Sequence, residues 1–251
     1  MPLPTVTLFG VQVSTLNMND TVRYLTEAIR KRQVHQVVTV NPIMLMAGLE
    51  NSSYMSMLKR AELLVPDGTG VVWAARYIGH PVSERVPGIE LVHQLLSAGD
   101  PLGWKVYLLG TTPETIGLAA EKLRGQYPGI HWVGVRDGYF GDEQDAEVIA
   151  DIVRAAPDIL LVGRSAFGQE PWIDKHKSAL NVPVVIGVGG SFDVMAGRLK
   201  RAPVIFQKLR LEWFFRLLQE PKRFPRMLAI PKFMVKVIRE KEKLKKEAQS
   251  N

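Results

Sequence analysis

The chain has 251 residues, 46% hydrophobic and 23% charged, with a formal net charge of +7 and no cysteine. This is globular composition; it excludes disulfides, thiolate catalysis and cysteine zinc sites, and the length suits one large domain with or without an appendage. No run approaches 18 consecutive apolar residues, and the opening MPLPTVTLFG lacks the charged-then-apolar order of a signal peptide, so the expectation is a cytoplasmic protein with no transmembrane helix.

In chain order, short β-rich runs alternate with helical stretches. Strands are predicted at 35–40 (HQVVTV), 61–65 (AELLV), 104–109 (WKVYLL), 130–135, 158–162 (DILLV) and 182–188 (VPVVIGV). Most are nearly continuous apolar runs, the pattern of strands covered on both faces. Helices are predicted at 20–32, 69–78, 88–97, 113–126, 143–155 and 170–179, with Asn19 or Asp20 capping the first and Pro113 opening the fourth after Thr111 and Thr112. The alternation predicts an α/β fold, a Rossmann-like sandwich with a mainly parallel sheet.

After Gly197 the alternation stops. From Lys200 onward there are 15 Lys/Arg against 5 Glu, whereas residues 1–199 hold 17 Lys/Arg against 20 Asp/Glu, so the positive charge belongs to one end. Phe206, Trp213, Phe214, Phe215, Phe224 and Phe233 are interleaved with it, the composition of a surface that meets something both anionic and apolar. A helix is predicted over 204–219, with Lys208, Glu212, Arg216 and Gln219 on one narrow arc and apolar residues over most of the rest. Pro221, Pro225 and Pro231 then divide the chain, and 232–248 forms a basic amphipathic run. The expected division is an α/β body over 1–199 and a helical basic appendage over 200–251. Such a tail has charge enough for polyphosphate, but no zinc-finger spacing, RNP-like strand or helix-turn-helix pattern accompanies it, so no nucleic-acid partner is expected.

Ligands of open α/β sheets bind beyond the carboxyl ends of the strands. Thr39-Val40-Asn41-Pro42 ends one strand and reads equally as a helix cap or as small polar groups lining a site. Val65-Pro66-Asp67-Gly68-Thr69 ends another, where Asp67 serves either as a cap for the next helix or as a general base. Gly110-Thr111-Thr112-Pro113 and Gly187-Val188-Gly189-Gly190-Ser191 let backbone N–H groups approach phosphate, or simply pack. Gly163-Arg164-Ser165-Ala166-Phe167-Gly168 misses the G-x-S-x-G spacing of a serine hydrolase. The five histidines show no metal-ligand spacing and no D-x-D pair is present, so neither metal nor cofactor is expected.

Together these segments resemble the WecG/TagA/CpsF family, glycosyltransferase family 26. The resemblance runs through TVNP (39–42), PDGTGVVWAAR (66–76), ERVPGIELV (84–92), RDGYF (136–140), GQEPWI (168–173), GVGGSFDVMAGRLKRAP (187–203) and LEWFFRLLQEPKR (211–223), nearly the whole chain. It implies inverting transfer of an N-acetylmannosamine-like sugar from a UDP donor to a polyprenyl-diphosphate-linked acceptor sugar in cell-surface polysaccharide synthesis. The implied general base is Asp67, with Thr39, Asn41, Arg85 and Gln169 lining the sugar and acceptor pocket. Tyr139 and Asp193 fall near the implied uridine and ribose contacts; apart from the resemblance, the turns make Gly110, Gly189 and Gly190 candidate substrate-binding positions. Arg216, Arg223 and Arg226 correspond to arginines that close over the diphosphate. The basic aromatic tail is read as a peripheral foothold on an anionic membrane surface from Phe224 to Lys246, and the resemblance implies homo-oligomers that hide the appendage away from the membrane. One segment departs from the pattern: before Gln169 the chain reads GRSAFG, where the family usually has a glycine, a small residue, a proline and a basic residue, which puts the donor sugar in question. The rival reading is a non-catalytic adaptor for anionic membrane or nucleic acid.

Overall fold

The structure is a computed structural model that describes residues 3–165, 167–203, 205–206 and 211–249. Its centre is a parallel sheet of six strands: β3 (His35–Val40), β4 (Leu63–Pro66), β5 (Lys105–Gly110), β6 (His131–Arg136), β7 (Ile159–Gly163) and β8 (Val184–Gly187), in spatial order β4-β3-β8-β7-β5-β6. Thr39 is in register with Val65, Val37 with Ile186, and Gly110 with Gly163. Residues of β4, β7 and β8 are buried throughout, as apolar strands covered on both faces must be, whereas edge strand β6 is only half-buried.

The helices α1 (Met18–Arg30), α2 (Pro42–Glu50), α3 (Ser52–Arg60), α4 (Thr69–Tyr77), α5 (Gly88–Gly99), α6 (Pro113–Gln126), α7 (Asp145–Ala155), α8 (Gln169–Leu180) and α9 (Ser191–Met195) cover the sheet. The strands and helices predicted before Gly197 all occur, with ends displaced by up to two residues, whereas the helix predicted over 204–219 is broken at Leu211, which is not helical and flanks a helix that begins only at Glu212. The cap of α1 is Asn17, two or three residues earlier than expected, with its side chain accepting from the Asp20 N–H at 2.8 Å. Thr112 caps α6 as its position before Pro113 predicts.

Two features escape the sequence reading. A hairpin of β1 (Thr5–Leu8) and β2 (Val11–Ser14) precedes the sheet, turning through Phe9 and Gly10 at φ 53° and 74°. Both values are left-handed, as two-residue hairpin turns of type I′ require. Helices α2 and α3 fill the β3-to-β4 connection, with Asn51 ending one and capping the other.

One face of the sheet is closed by Leu25, Leu91, Ile116, Leu123 and Phe192 against Val37, Val106 and Leu108. The other face carries two clusters, one around Leu109, Phe140, Trp172 and Ile173 and one around the hairpin, Leu45, Leu58 and Val71. The hairpin cluster also takes in Phe233 and Val237 of α12 (Ala229–Arg239) and Leu244 and Ala248 of α13 (Lys241–Gln249). Phe233 is 0% exposed and meets Phe9 edge to face at 5.8 Å. It therefore belongs to the core and not to an outward aromatic surface. Between the body and these helices lie α10 (Glu212–Gln219) and the short α11 (Phe224–Met227). In the predicted 204–219 helix, Val204 and 207–210 lie outside the described residues.

The chain leaves β3 outward to β4 and then crosses to β5 on the other side of β8 and β7. The crevice of such a sheet lies beyond the carboxyl ends of the strands where the order switches, here β3, β8 and β7.

Candidate functional site

Asp67 follows directly on β4. The N-cap of α4 is Gly68, with no side-chain cap hydrogen bond, so the carboxylate of Asp67 does not cap that helix. The backbone N–H of Gly88, the first residue of α5, favours its ionised form, and Arg85, Glu212 and Arg216 are its charged neighbours. Burial disfavours the ionised carboxylate; Arg85, the Gly88 N–H and Arg216 favour it, and Glu212 disfavours it. Burial wins, and the pKa is pushed up to about 6. Gly88 lies so close to Thr39 that a Cβ would fall 2.9 Å from Thr39 Cγ2. Asn41 caps α2, its Oδ1 accepting from the N–H groups of Ile43 at 3.0 Å and Met44 at 3.2 Å. Asn41 also lines the cavity described below.

The turn after β8 is locked to α8. Gln169, the first residue of α8, accepts the Gly189 N–H on Oε1 at 3.0 Å and donates from Nε2 to Glu170 Oε1 at 3.0 Å. Gly189 is left-handed at φ 49°, and Gly187 has no room for a Cβ against the Glu170 carboxyl. Glu170 itself is buried, with Gln36 Nε2 donating to its backbone carbonyl at 3.1 Å and to Oε2 at 3.4 Å. Burial outweighs these amide donors and pushes its pKa up to about 7.

The described residues Lys200–Ala202 and several between Glu212 and Met227 line the cavity over this floor. Gln219 makes paired hydrogen bonds with the Lys200 backbone, both at 3.0 Å. Glu212 forms an ion pair with Arg85, joining α10 to the loop before α5. Arg216 lies directly over Gly190, where its Nη2 occupies the space a Cβ would need. Glu220 bridges Arg216 at 3.4 Å and Arg223 at 2.8 Å, and the Arg226 guanidinium lies 5.7 Å from the ring centre of Phe167. Burial, and next the neighbouring Arg223, lower the pKa of Arg216 against the opposing pull of Glu220 and Asp67.

Two cavities meet here. One, of about 530 Å³, is lined by Thr39, Asn41, Asp67, Arg85, Gln169, Arg216, Arg223 and Arg226. The other, of about 690 Å³, is lined by Thr111, Gly138, Tyr139, Asp142 and Trp172. Arg164, Gly189, Gly190 and Asp193 line both. Among the described residues no cluster of three His, Asp or Glu forms a metal site.

The sequence profile of the glycosyl transferase WecG/TagA/CpsF family matches residues 6–247. An N-acetylglucosaminyldiphosphoundecaprenol N-acetyl-beta-D-mannosaminyltransferase of Staphylococcus aureus (strain MW2) is 36% identical over 243 residues, covering 96% of this chain and 95% of its own. A protein of the same name from Bacillus spizizenii is 36% identical over 203 residues, 81% of this chain and 78% of its own. The chain belongs to the WecG/TagA/CpsF family.

Of the candidate site residues, the fold brings all but Gly110 onto one or the other cavity. Gly110, at φ 142°, is buried against the Gly163 backbone, which leaves no space for a Cβ, and Thr111 faces the cavity in its stead. Tyr139 is 75% exposed at the rim of the larger cavity. Arg164, Glu170 and Glu212 are the participants that sequence reasoning leaves without a role. Arg164 shows only as a departure from the family pattern, Glu170 as an ordinary acidic residue at a helix start, and Glu212 as one polar position on an aromatic helix. In the elbow-like segment, Ala166 lies outside the described residues, and the Ser165 carbonyl accepts from the N–H groups of Gly168 and Gln169.

Proposed function

We propose that this protein is an inverting UDP-sugar-dependent hexosyltransferase that moves an N-acetylmannosamine-like sugar onto a polyprenyl-diphosphate-linked acceptor sugar. The observation that carries the reading is Asp67: a strand-end carboxylate released from capping, its pKa raised to about 6, facing a cavity roofed by arginines. A base with that pKa is ionised at neutral pH and retains affinity for a proton. Asp67 takes the proton of the acceptor hydroxyl as that oxygen attacks the anomeric carbon from the face opposite the leaving group. The bond between the anomeric carbon and the diphosphate oxygen breaks, and UDP leaves with the electron pair.

The developing charge on UDP needs donors already in place. Arg216 over Gly190 and Arg223 beside it supply them, and the buried Nε–H of Arg223 has no acceptor among the described residues. An incoming diphosphate satisfies that donor and offsets the crowding of the two guanidiniums. The larger cavity, with Tyr139 and Asp193, suits the nucleoside.

The membrane part of the reading rests on the exposed aromatic and basic residues between Trp213 and Lys232. No helix among the described residues is long and apolar enough to cross a bilayer. Trp213, Phe214, Leu218, Phe224 and Leu228 are exposed beside the exposed Lys222 and Lys232, which suits a peripheral contact with an anionic lipid surface. The proposed domain division keeps residues 200–251 as the unit that makes this contact, although α12 and α13 also complete the core of the body.

The test is a panel of UDP-sugars, UDP-N-acetylmannosamine included, with a lipid-diphosphate-N-acetylglucosamine acceptor and UDP release as the signal. UDP-N-acetylmannosamine is expected to be turned over. The absence of turnover across the whole panel overturns the reading.

A further inference from the structure

We propose that Arg164 is a donor-binding residue that grips the diphosphate of the nucleotide-sugar at the neck between the two cavities. The inference rests on the functional reading above and adds to it a residue and a place.

A nucleoside diphosphate sugar is an elongated ligand whose charged centre lies between its two ends. If the nucleoside occupies the larger cavity and the sugar the one containing Asp67, the diphosphate crosses the wall common to both. That wall consists of Arg164, Gly189, Gly190 and Asp193, and Arg164 is its one cation. Arg216 reaches the same place from above, over Gly190.

Arg164 is built to hold its charge there. It follows β7 directly, where Gly163 is packed against Phe192 too closely for any side chain, so the backbone at this point has little freedom. Its guanidinium lies 4.1 Å from the ring centre of Phe140, and Nη2 donates to the Phe140 carbonyl at 2.8 Å. Stacking and this hydrogen bond orient the plane and use one of its five N–H donors. Of the other cavity arginines, Arg85, Arg201, Arg216 and Arg223 each pair with a glutamate, and Arg226 lies by the Phe167 ring away from the neck. Arg164 pairs with no carboxylate among the described residues, and no ion pair joins it to Asp193 across the neck. An arginine fixed by an aromatic face and a carbonyl keeps its full charge and a planar fork for a bidentate anion.

The experiment compares the full-length wild-type protein with Arg164→Met and Arg164→Lys, measuring UDP binding by calorimetry and uridine binding by NMR titration. Loss of a charge-assisted contact predicts that Arg164→Met weakens UDP binding about 10- to 100-fold while uridine affinity stays within about twofold. Arg164→Lys, which keeps the charge but loses the fork, is expected to fall in between, and it carries the test alone if Arg164→Met does not fold. UDP affinity unchanged in the variant that folds overturns the proposal. Equal losses for UDP and uridine overturn it too, because they assign Arg164 to packing against Phe140. A wild-type protein that binds no UDP sinks the functional reading and this proposal together, whereas wild-type binding with indifferent variants sinks this proposal alone.

Discussion

The backbone N–H of Gly88, which opens helix α5, favours the ionised form of the Asp67 carboxylate. A helix N-terminus favours the ionised form, as does Arg85, yet burial prevails and the pKa rises to about 6. The base works only when deprotonated, so kcat/KM is predicted to fall with unit slope as pH drops below about 6 and to level off above it. Arg85→Ala removes a cation that lowers this pKa, and its acid limb is expected to move to higher pH. A pH–rate profile of both proteins checks this, and superimposable limbs would refute the assignment.

Asp67→Asn keeps the shape of the side chain and removes the base. General-base catalysis contributes about 10²- to 10⁴-fold, and a loss of that size in kcat is expected with UDP affinity within a few-fold of wild type. Single-turnover kinetics with pre-bound donor separate the two, and full activity in the variant would exclude Asp67 as the base.

Glu170 predicts a pH dependence of stability with a definite sign. Its folded pKa, about 7, lies above the ordinary carboxyl value of 4.5, so the folded state binds the proton more tightly than the unfolded chain does. The stabilisation is complete below about 4.5 and is lost as pH rises to about 7. Asp67 adds the same sign between 3.8 and about 6, so the difference between wild type and Glu170→Gln isolates Glu170. Chemical denaturation across this range is expected to show a shallower decline in Glu170→Gln. Gln36 Oε1, buried and without a partner among the described residues, offers the new amide an acceptor if the Gln36 amide rotates.

The sheet is legible in the sequence because strands covered on both faces leave unbroken apolar runs such as ILLVG and VVIG. The hairpin is not, because its turn uses Phe9 in a left-handed conformation where Asn-Gly is the familiar signal. Helix α2 is hidden for a related reason: IMLMAGL is apolar on all sides and shows no 3.6-residue period. At the site, the strand-end position of Asp67 can be read from sequence, but the choice between cap and base cannot, since it turns on Gly88, 21 residues away along the chain. Arg164 likewise acquires meaning only from Phe140, which a different strand-end loop delivers.

Gly190 is predicted to tolerate a side chain in its backbone but not in its surroundings. Its φ of −77° suits alanine, whereas the added Cβ occupies the place of Arg216 Nη2. Because the obstacle is the end of a flexible side chain, Gly190→Ala is expected to fold with nearly wild-type stability while displacing the guanidinium from the diphosphate. Loss of one preorganised donor corresponds to about 10²-fold in turnover. Thermal unfolding together with steady-state kinetics tests both halves, and wild-type kcat would place Arg216 outside the charge-stabilising machinery.

The C-terminal segment contains two kinds of aromatic residue, and they are predicted to fail differently. Phe233 is wholly buried against Phe9 within the hairpin cluster, so Phe233→Ala should cost about 3–5 kcal/mol of stability through the cavity it leaves. Phe224 is 56% exposed and next to Arg223, so Phe224→Ala should leave the unfolding midpoint almost unchanged and weaken binding to anionic vesicles. Truncation near Ala202 cannot separate these effects, because it strips Phe233, Val237 and Leu244 from the core along with the outward aromatics. Co-sedimentation with vesicles containing phosphatidylglycerol, run beside urea denaturation of the two point variants, distinguishes them. Equal vesicle binding by wild type and Phe224→Ala would remove Phe224 from the membrane contact, and an unchanged midpoint in Phe233→Ala would contradict its place in the core.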